Sequence, residues 1–133
     1  MATRNFQRSN IEGGGRAATI FWTGLLAAPD LDVGQGYGDW TAGEMAAYYS
    51  DKSAQVVGTF GAGGALIIEG SNAATPGATD WVTLHDPQGN LLSFTAADIE
   101  VVLENVRHVR PRVTGGDGTT NLSVYILGRM AFK

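Results

Sequence analysis

Two histidines, His85 and His108, and the carboxylates Glu69, Asp80, Asp86 and Asp117 are the side chains whose types could support metal or acid–base chemistry. A zinc centre needs several ligands converging at short range, and the histidines fall on separate predicted strands without the ligand spacing of such a centre. Glu69, Asp80 and Asp86 could approach across a hairpin, the arrangement that glycoside hydrolysis uses when one carboxyl is protonated and the other ionised. Charged residues at strand ends also serve simply to face water. Asp117 stands in Gly115-Gly116-Asp117-Gly118-Thr119-Thr120. That segment lacks the additional oxygen ligands of a calcium loop and reads as a turn. The glycine-rich stretches 34–38 (GQGYG) and 61–64 (GAGG) are not followed by the Gly-Lys-Ser/Thr step of a phosphate loop. No serine has a nucleophile-elbow context, and the absence of cysteine removes thiolate catalysis, disulfides and cysteine-bound zinc. The expectation is a non-enzymatic chain with no catalytic, metal or cofactor site.

A different constellation stands out in Val106–Val113 (VRHVRPRV). With the two-residue period of a strand, His108, Arg110 and Arg112 share one face, and Val109, Pro111 and Val113 share the other. The basic stripe so formed either pairs internally, with Glu100 and Glu104 as candidates, or meets an acidic neighbouring protein. Pro111 cannot donate to a ladder, which places this strand at an edge or at a bulge. Aromatic anchors are available in Trp22, Trp40, Trp81, Tyr37, Tyr48, Tyr49 and Tyr125. Trp22 and Trp81 are assigned to the core by default, although aromatics on a sheet could also form a sugar-stacking platform. Trp40, beside Asp39 in a glycine-rich loop, is expected to be exposed.

The elements that would position these residues are short strands. Apolar runs and alternation predict strands near 17–22, 53–60, 65–69, 81–85, 91–95, 106–114 and 121–129. Residues 96–104 fit a strand or a short helix, and 44–49 a strand or a helical turn. Glycines 61, 63 and 64 suggest a hairpin between the second and third of these strands, and the 115–120 turn suggests another between the last two. Asp86-Pro87-Gln88-Gly89-Asn90 is a strong turn signal between its flanking strands. Residues 23–39 read as a long loop. Residues 1–16, polar and carrying Arg4, Arg8 and Arg16, read as a flexible arm ahead of a β-sandwich domain at 17–133. About eight strands without crossover helices predict an all-β antiparallel sandwich.

Composition agrees. The 19 glycines among 133 residues are about double the usual share, and 17% charged residues fall below the usual ~25%, which excludes a coiled coil or a charge-rich disordered chain. A net charge of −4 argues against direct nucleic-acid binding, which needs clustered cations. Neither a secretory signal nor a bilayer-spanning run is read in the sequence, so the expectation is a soluble protein with no membrane partner.

From Ala65 onward the segments ALIIEGSN, DWVTLHDPQGNLLSFT and NVRHVRPRVTGGDGTTNLSVYILGR resemble jelly-roll head decoration (cement) proteins of tailed bacteriophages. The resemblance covers roughly the C-terminal half. It implies a virion protein, made in the host cytoplasm, that binds the outer capsid surface, cements neighbouring major capsid protein subunits and forms a homo-oligomer. Partner contacts are then expected from Arg4, Arg8 and Arg16 in the arm, Tyr37 and Trp40 in the long loop, and Arg110 and Arg112 on the stripe. Discoidin-like carbohydrate- or lipid-binding jelly rolls share part of the pattern, a Gly-Ser-Asn turn before a Trp strand and a later Arg-x-Val-Arg strand. This chain departs from them in lacking cysteines and in having Asn72-Ala73-Ala74-Thr75-Pro76-Gly77 where they carry Asp-Gly.

Overall fold

The computed structural model describes residues 2–11 and 16–130. In chain order the elements are β1 (Thr3–Arg4), β2 (Gln7–Asn10), β3 (Ala17–Leu26), β4 (Val33–Gly34), β5 (Tyr37–Gly38), α1 (Asp39–Ala42), a 3₁₀ turn (Ala46–Tyr48) and β6 (Asp51–Thr59). They continue with β7 (Ala65–Ser71), β8 (Val82–Thr83), β9 (Ser93–Phe94), β10 (Asp98–Val102), β11 (His108–Gly115) and β12 (Asn121–Arg129). The chain is an all-β sandwich. A five-stranded sheet has the order β10-β6-β12-β3-β2, and a seven-stranded sheet follows β1-β4-β11-β7-β8 with β5 added to β11 and β9 to β7. Every strand pairing is antiparallel except the parallel β1–β4 pair. The strand count exceeds the expected eight because five of the strands are only two residues long.

Alternation decides what is buried. Ala54 and Val56 of β6, Leu66 and Ile68 of β7, Val109 and Val113 of β11, and Leu122, Val124 and Ile126 of β12 all point between the sheets. Each fully buried valine, leucine or isoleucine among them contributes about 1.5–3 kcal/mol. In β3 both Trp22 and Leu25 are fully buried although they are three residues apart. The register shifts there against β12, and Gly24 at φ +67° absorbs the extra residue as a bulge. The bulge breaks the two-residue period after Trp22, which is why the sequence pattern stops there while the strand runs on to Leu26.

Two expectations are corrected. Neither expected long-strand hairpin exists: β6 and β7 lie in different sheets, and so do β11 and β12. The glycine-rich segments 61–64 and 116–120 are therefore arches from one sheet to the other. They are bonded together: the Asp117 carboxylate accepts from Ala62 N at 3.0 Å and Thr119 N at 2.9 Å, and Thr120 Oγ1 donates to Phe60 O at 2.6 Å. The Thr119 hydroxyl and these backbone donors push the Asp117 carboxyl down to about 2.

The second correction concerns Pro111, which lies inside a central strand rather than at an edge. Val113 N donates to Asp32 O on the β4 side of β11, so Pro111, two residues earlier, turns its missing donor the same way. There the proline ring meets Gly34, the last residue of β4, where a Cβ would stand 2.5 Å from it, and the neighbouring chain leaves the ladder until β5.

The described part of the N-terminal arm, expected to be flexible, is laid along the body. Ala2 O accepts from Val33 N at 2.9 Å and Arg4 O from Gln35 N at 2.7 Å, and β2 then pairs with β3 in the other sheet. Phe6, between these strands, packs edge-on against Tyr37 with ring centroids 5.2 Å apart. Backbone ladders and one aromatic anchor order a segment whose composition alone offers little to bury. The glycine triplet 13–15 lies outside the described residues.

Candidate functional site

The predicted stripe lies on the outer face of the seven-stranded sheet, and its charges are met from within the chain. Register sets Arg110 opposite Glu69 of β7. Glu69 Oε1 accepts from both Arg110 Nε and Arg112 Nε at 3.1 Å, with the Glu69 side chain 5% exposed, Arg110 16% and Arg112 38%. Thus the internal partner is Glu69 rather than Glu100 or Glu104. Burial pulls the Arg110 guanidinium below its ordinary value against the pull of Glu69. The Arg110 guanidinium also lies 4.1 Å from the centre of the Trp81 ring, a cation–π contact that covers one indole face. That ring reaches over Gly36, where a Cβ would stand 2.8 Å from Trp81, so only glycine fits.

Next to this triad, His108 is buried, with Nε2 3.4 Å from Asp39 Oδ1. Its Nδ1 rests against the Gly38 backbone, where a Cβ would stand only 1.9 Å away. Arg107 grips Asp39 in a two-pronged pair, Nε to Oδ1 at 2.7 Å and Nη2 to Oδ2 at 2.6 Å, and these bonds hold the Asp39 carboxyl below the usual carboxylate range. The pair ties the start of α1 to the segment entering β11. One residue on, Trp40 stands 57% exposed, as expected.

The other expected contact residues are placed as follows. Tyr37 is not an exposed anchor: it is 1% exposed, and its hydroxyl donates to Glu44. Its burial follows from the arm laid across it, and burial together with Glu44 raises its pKa far above the ordinary phenol value. Arg8 bonds Tyr49 Oη at 2.6 Å and lies 3.2 Å from Glu44. Arg4 reaches Asp32 at 2.9 Å. Arg16 is exposed, and its carbonyl accepts from Met130 N. The structure therefore brings Arg110 and Arg112 together, sets Trp40 beside the Asp39–Arg107 clamp, and uses Arg4 and Arg8 to fasten the arm.

The carboxylates weighed for acid–base work have separate employment. Asp86 accepts from Gln88 N and Asn90 N, both at 2.9 Å, and these bonds, Asn90 first, lower its pKa, the direction opposite to that of a general acid. Asp80 caps Gly77 N at 2.7 Å. His85 Nδ1 lies 2.5 Å from Glu104. Among the described residues no group of three or more histidine or acidic side chains could hold a metal ion. No helix among them is long and apolar enough to cross a membrane.

Sequence reading overlooked the outer face of the five-stranded sheet. Register aligns Ile99, Gln55, Tyr125 and Phe21 in one row and Val101, Ser53, Leu127 and Thr19 in the next. All eight are uncharged. Ile99, Val101 and Leu103 are 57%, 53% and 54% exposed, and Phe21 stacks on Tyr125 at 5.7 Å. Two shallow grooves of about 350 and 540 Å³ meet at Ser53 and Leu127. The alternation of Ile99, Val101 and Leu103 with acidic neighbours was legible, yet a simple alternation rule sends the apolar set inward. Here Val102, facing Lys52 in the register, takes the inner side instead.

No protein-family model matches this chain, and no curated protein sequence or solved structure matches it either.

Proposed function

We propose that this chain is a non-enzymatic virion structural protein that binds the outer surface of a bacteriophage capsid and cements neighbouring major capsid subunits. The reading starts from the resemblance in the C-terminal half. The observation that carries it in the structure is Trp40, displayed on a short helix whose first residue is clamped by Arg107. A large aromatic held on a rigid frame is the kind of anchor that dominates protein–protein contacts. Arg112, the more exposed member of the arginine pair, adds a cation that an acidic capsid surface could share. Many copies on a symmetric shell multiply modest affinities through avidity.

The test is addition of purified protein to undecorated capsids. Binding should saturate at a symmetry-related copy number, and Trp40→Ala should weaken it at least about tenfold, as loss of a central aromatic anchor does. Absence of saturable binding overturns the reading. The carbohydrate-module alternative also draws on Trp40, but the Trp81 platform it would use is covered on one face by Arg110. A sugar retained on a glycan array by wild type and lost in Trp40→Ala would favour that alternative.

A further inference from the structure

We infer that the outer face of the five-stranded sheet is the surface through which two copies of this chain associate about a two-fold axis. On a chain of net charge −4, this face runs through two complete cross-strand rows without a charge. The stripe Ile99, Val101 and Leu103 stays more than half exposed at the edge of that face. Contiguous apolar exposure of this kind marks an interaction surface rather than ordinary scatter.

The occupant is indicated by the rim. Asp51 of β6 and Arg129 of β12 are cross-strand partners at one end of the face, and both are exposed. A two-fold interface presents each surface to itself. A two-fold axis running along the strands between β6 and β12 sets Asp51 against the partner's Arg129 and the reverse, so the face is self-complementary about that axis. A rim of one sign would repel its own copy. The dimensions also suit. At about 3.3 Å per residue and 4.8 Å between strands, β10, β6, β12, β3 and β2, of 5, 9, 9, 10 and 4 residues, give a footprint of roughly 600 Å², of the order of the ~800 Å² per partner of a standard interface.

The inference concerns the free chain and supplies the proposed cement protein with its oligomer contact. Sedimentation velocity of the full chain across about 1–100 µM, the range of a micromolar dissociation constant, should show a species of twice 14.0 kDa. Val101→Lys and Gln55→Arg, each placing a charge on the uncharged rows, should raise the dissociation constant at least about tenfold. Circular dichroism reports whether each variant is folded. If neither is, the exposed rim decides alone: Asp51→Arg and Arg129→Asp should each weaken the dimer, and the double exchange should restore it. A wild type that stays monomeric, a dimer indifferent to these substitutions, or a double exchange without recovery overturns the inference. Capsid binding measured on the same variants separates the two readings, since either can fail while the other survives.

Discussion

The two outer faces of the sandwich solve opposite problems. The seven-stranded sheet carries charge outward and neutralises it at once: Glu69 holds Arg110 and Arg112, Trp81 lies beneath Arg110, and Asp39 takes Arg107. The five-stranded sheet carries almost no charge outward and leaves an apolar stripe at Ile99, Val101 and Leu103 without cover from its own chain. The face that looks reactive in the sequence is the one whose arginines already have partners within the chain, whereas the face that looks inert is open. Residue type announces charge loudly, but only the fold tells whether a charge has been spent.

If this contrast is right, substitutions should act on stability at one face and on association at the other. The largest effect is expected for Glu69→Ala, which strands two guanidinium groups at a mostly buried position. Full breakage of a buried pair costs 3–5 kcal/mol, and the partial exposure of Arg112 brings the expected loss to about 3 kcal/mol, read from urea unfolding. Next comes Lys52, a charge that the five-stranded sheet buries inward, where Nζ donates to Tyr49 O at 2.6 Å and Asn105 Oδ1 at 3.2 Å. Burial lowers its pKa from 10.5 to about 8, so between those values the unfolded chain binds more protons than the folded one. Stability should therefore rise with pH across that window, by up to about 3 kcal/mol, and Lys52→Met should flatten the rise in a pH series of thermal midpoints.

A smaller loss, about 1–2 kcal/mol, is expected for Trp81→Ala, which removes the cation–π contact and uncovers Gly36. Ile99→Ser should change stability by no more than about 0.5 kcal/mol because that side chain already faces water. A large stability loss at Ile99 together with a small one at Glu69 would reverse the comparison.

Much of the architecture is legible in the residues. Alternation in 108–113 and 121–129 gives two strands and their buried faces, and Asp-Pro-Gln-Gly-Asn gives its turn, with Asp86 capping two of its own backbone donors. What escapes is everything that depends on distant partners. Glycines permit both a hairpin and an arch, and only the pairing of β6 with β12 rather than β7 chooses between them. Tyr37 reads as a loop aromatic until Phe6, thirty-one positions earlier, is seen against its ring. The two-residue period puts the stripe on one face, while its counter-ion arrives from forty-one residues away in Arg110–Glu69. The exposed apolar stripe of β10 was invisible for the complementary reason: its pattern is correct but its orientation is set by the neighbouring strand.

The two arches bear on how the chain is made. Because they carry β6 and β11 across to the opposite sheet, the centre of the five-stranded sheet is filled by β12, which is synthesised after every other described strand and pairs Arg129 with Ala17 and Asn121 with Leu26. Until it emerges, β3 and β6 wait with open edges and no sequence-local strand to close them. Folding built on such distant pairings is slow and exposes aggregation-prone edges meanwhile. A nascent chain stalled before residue 121 should accordingly be the species most in need of a chaperone.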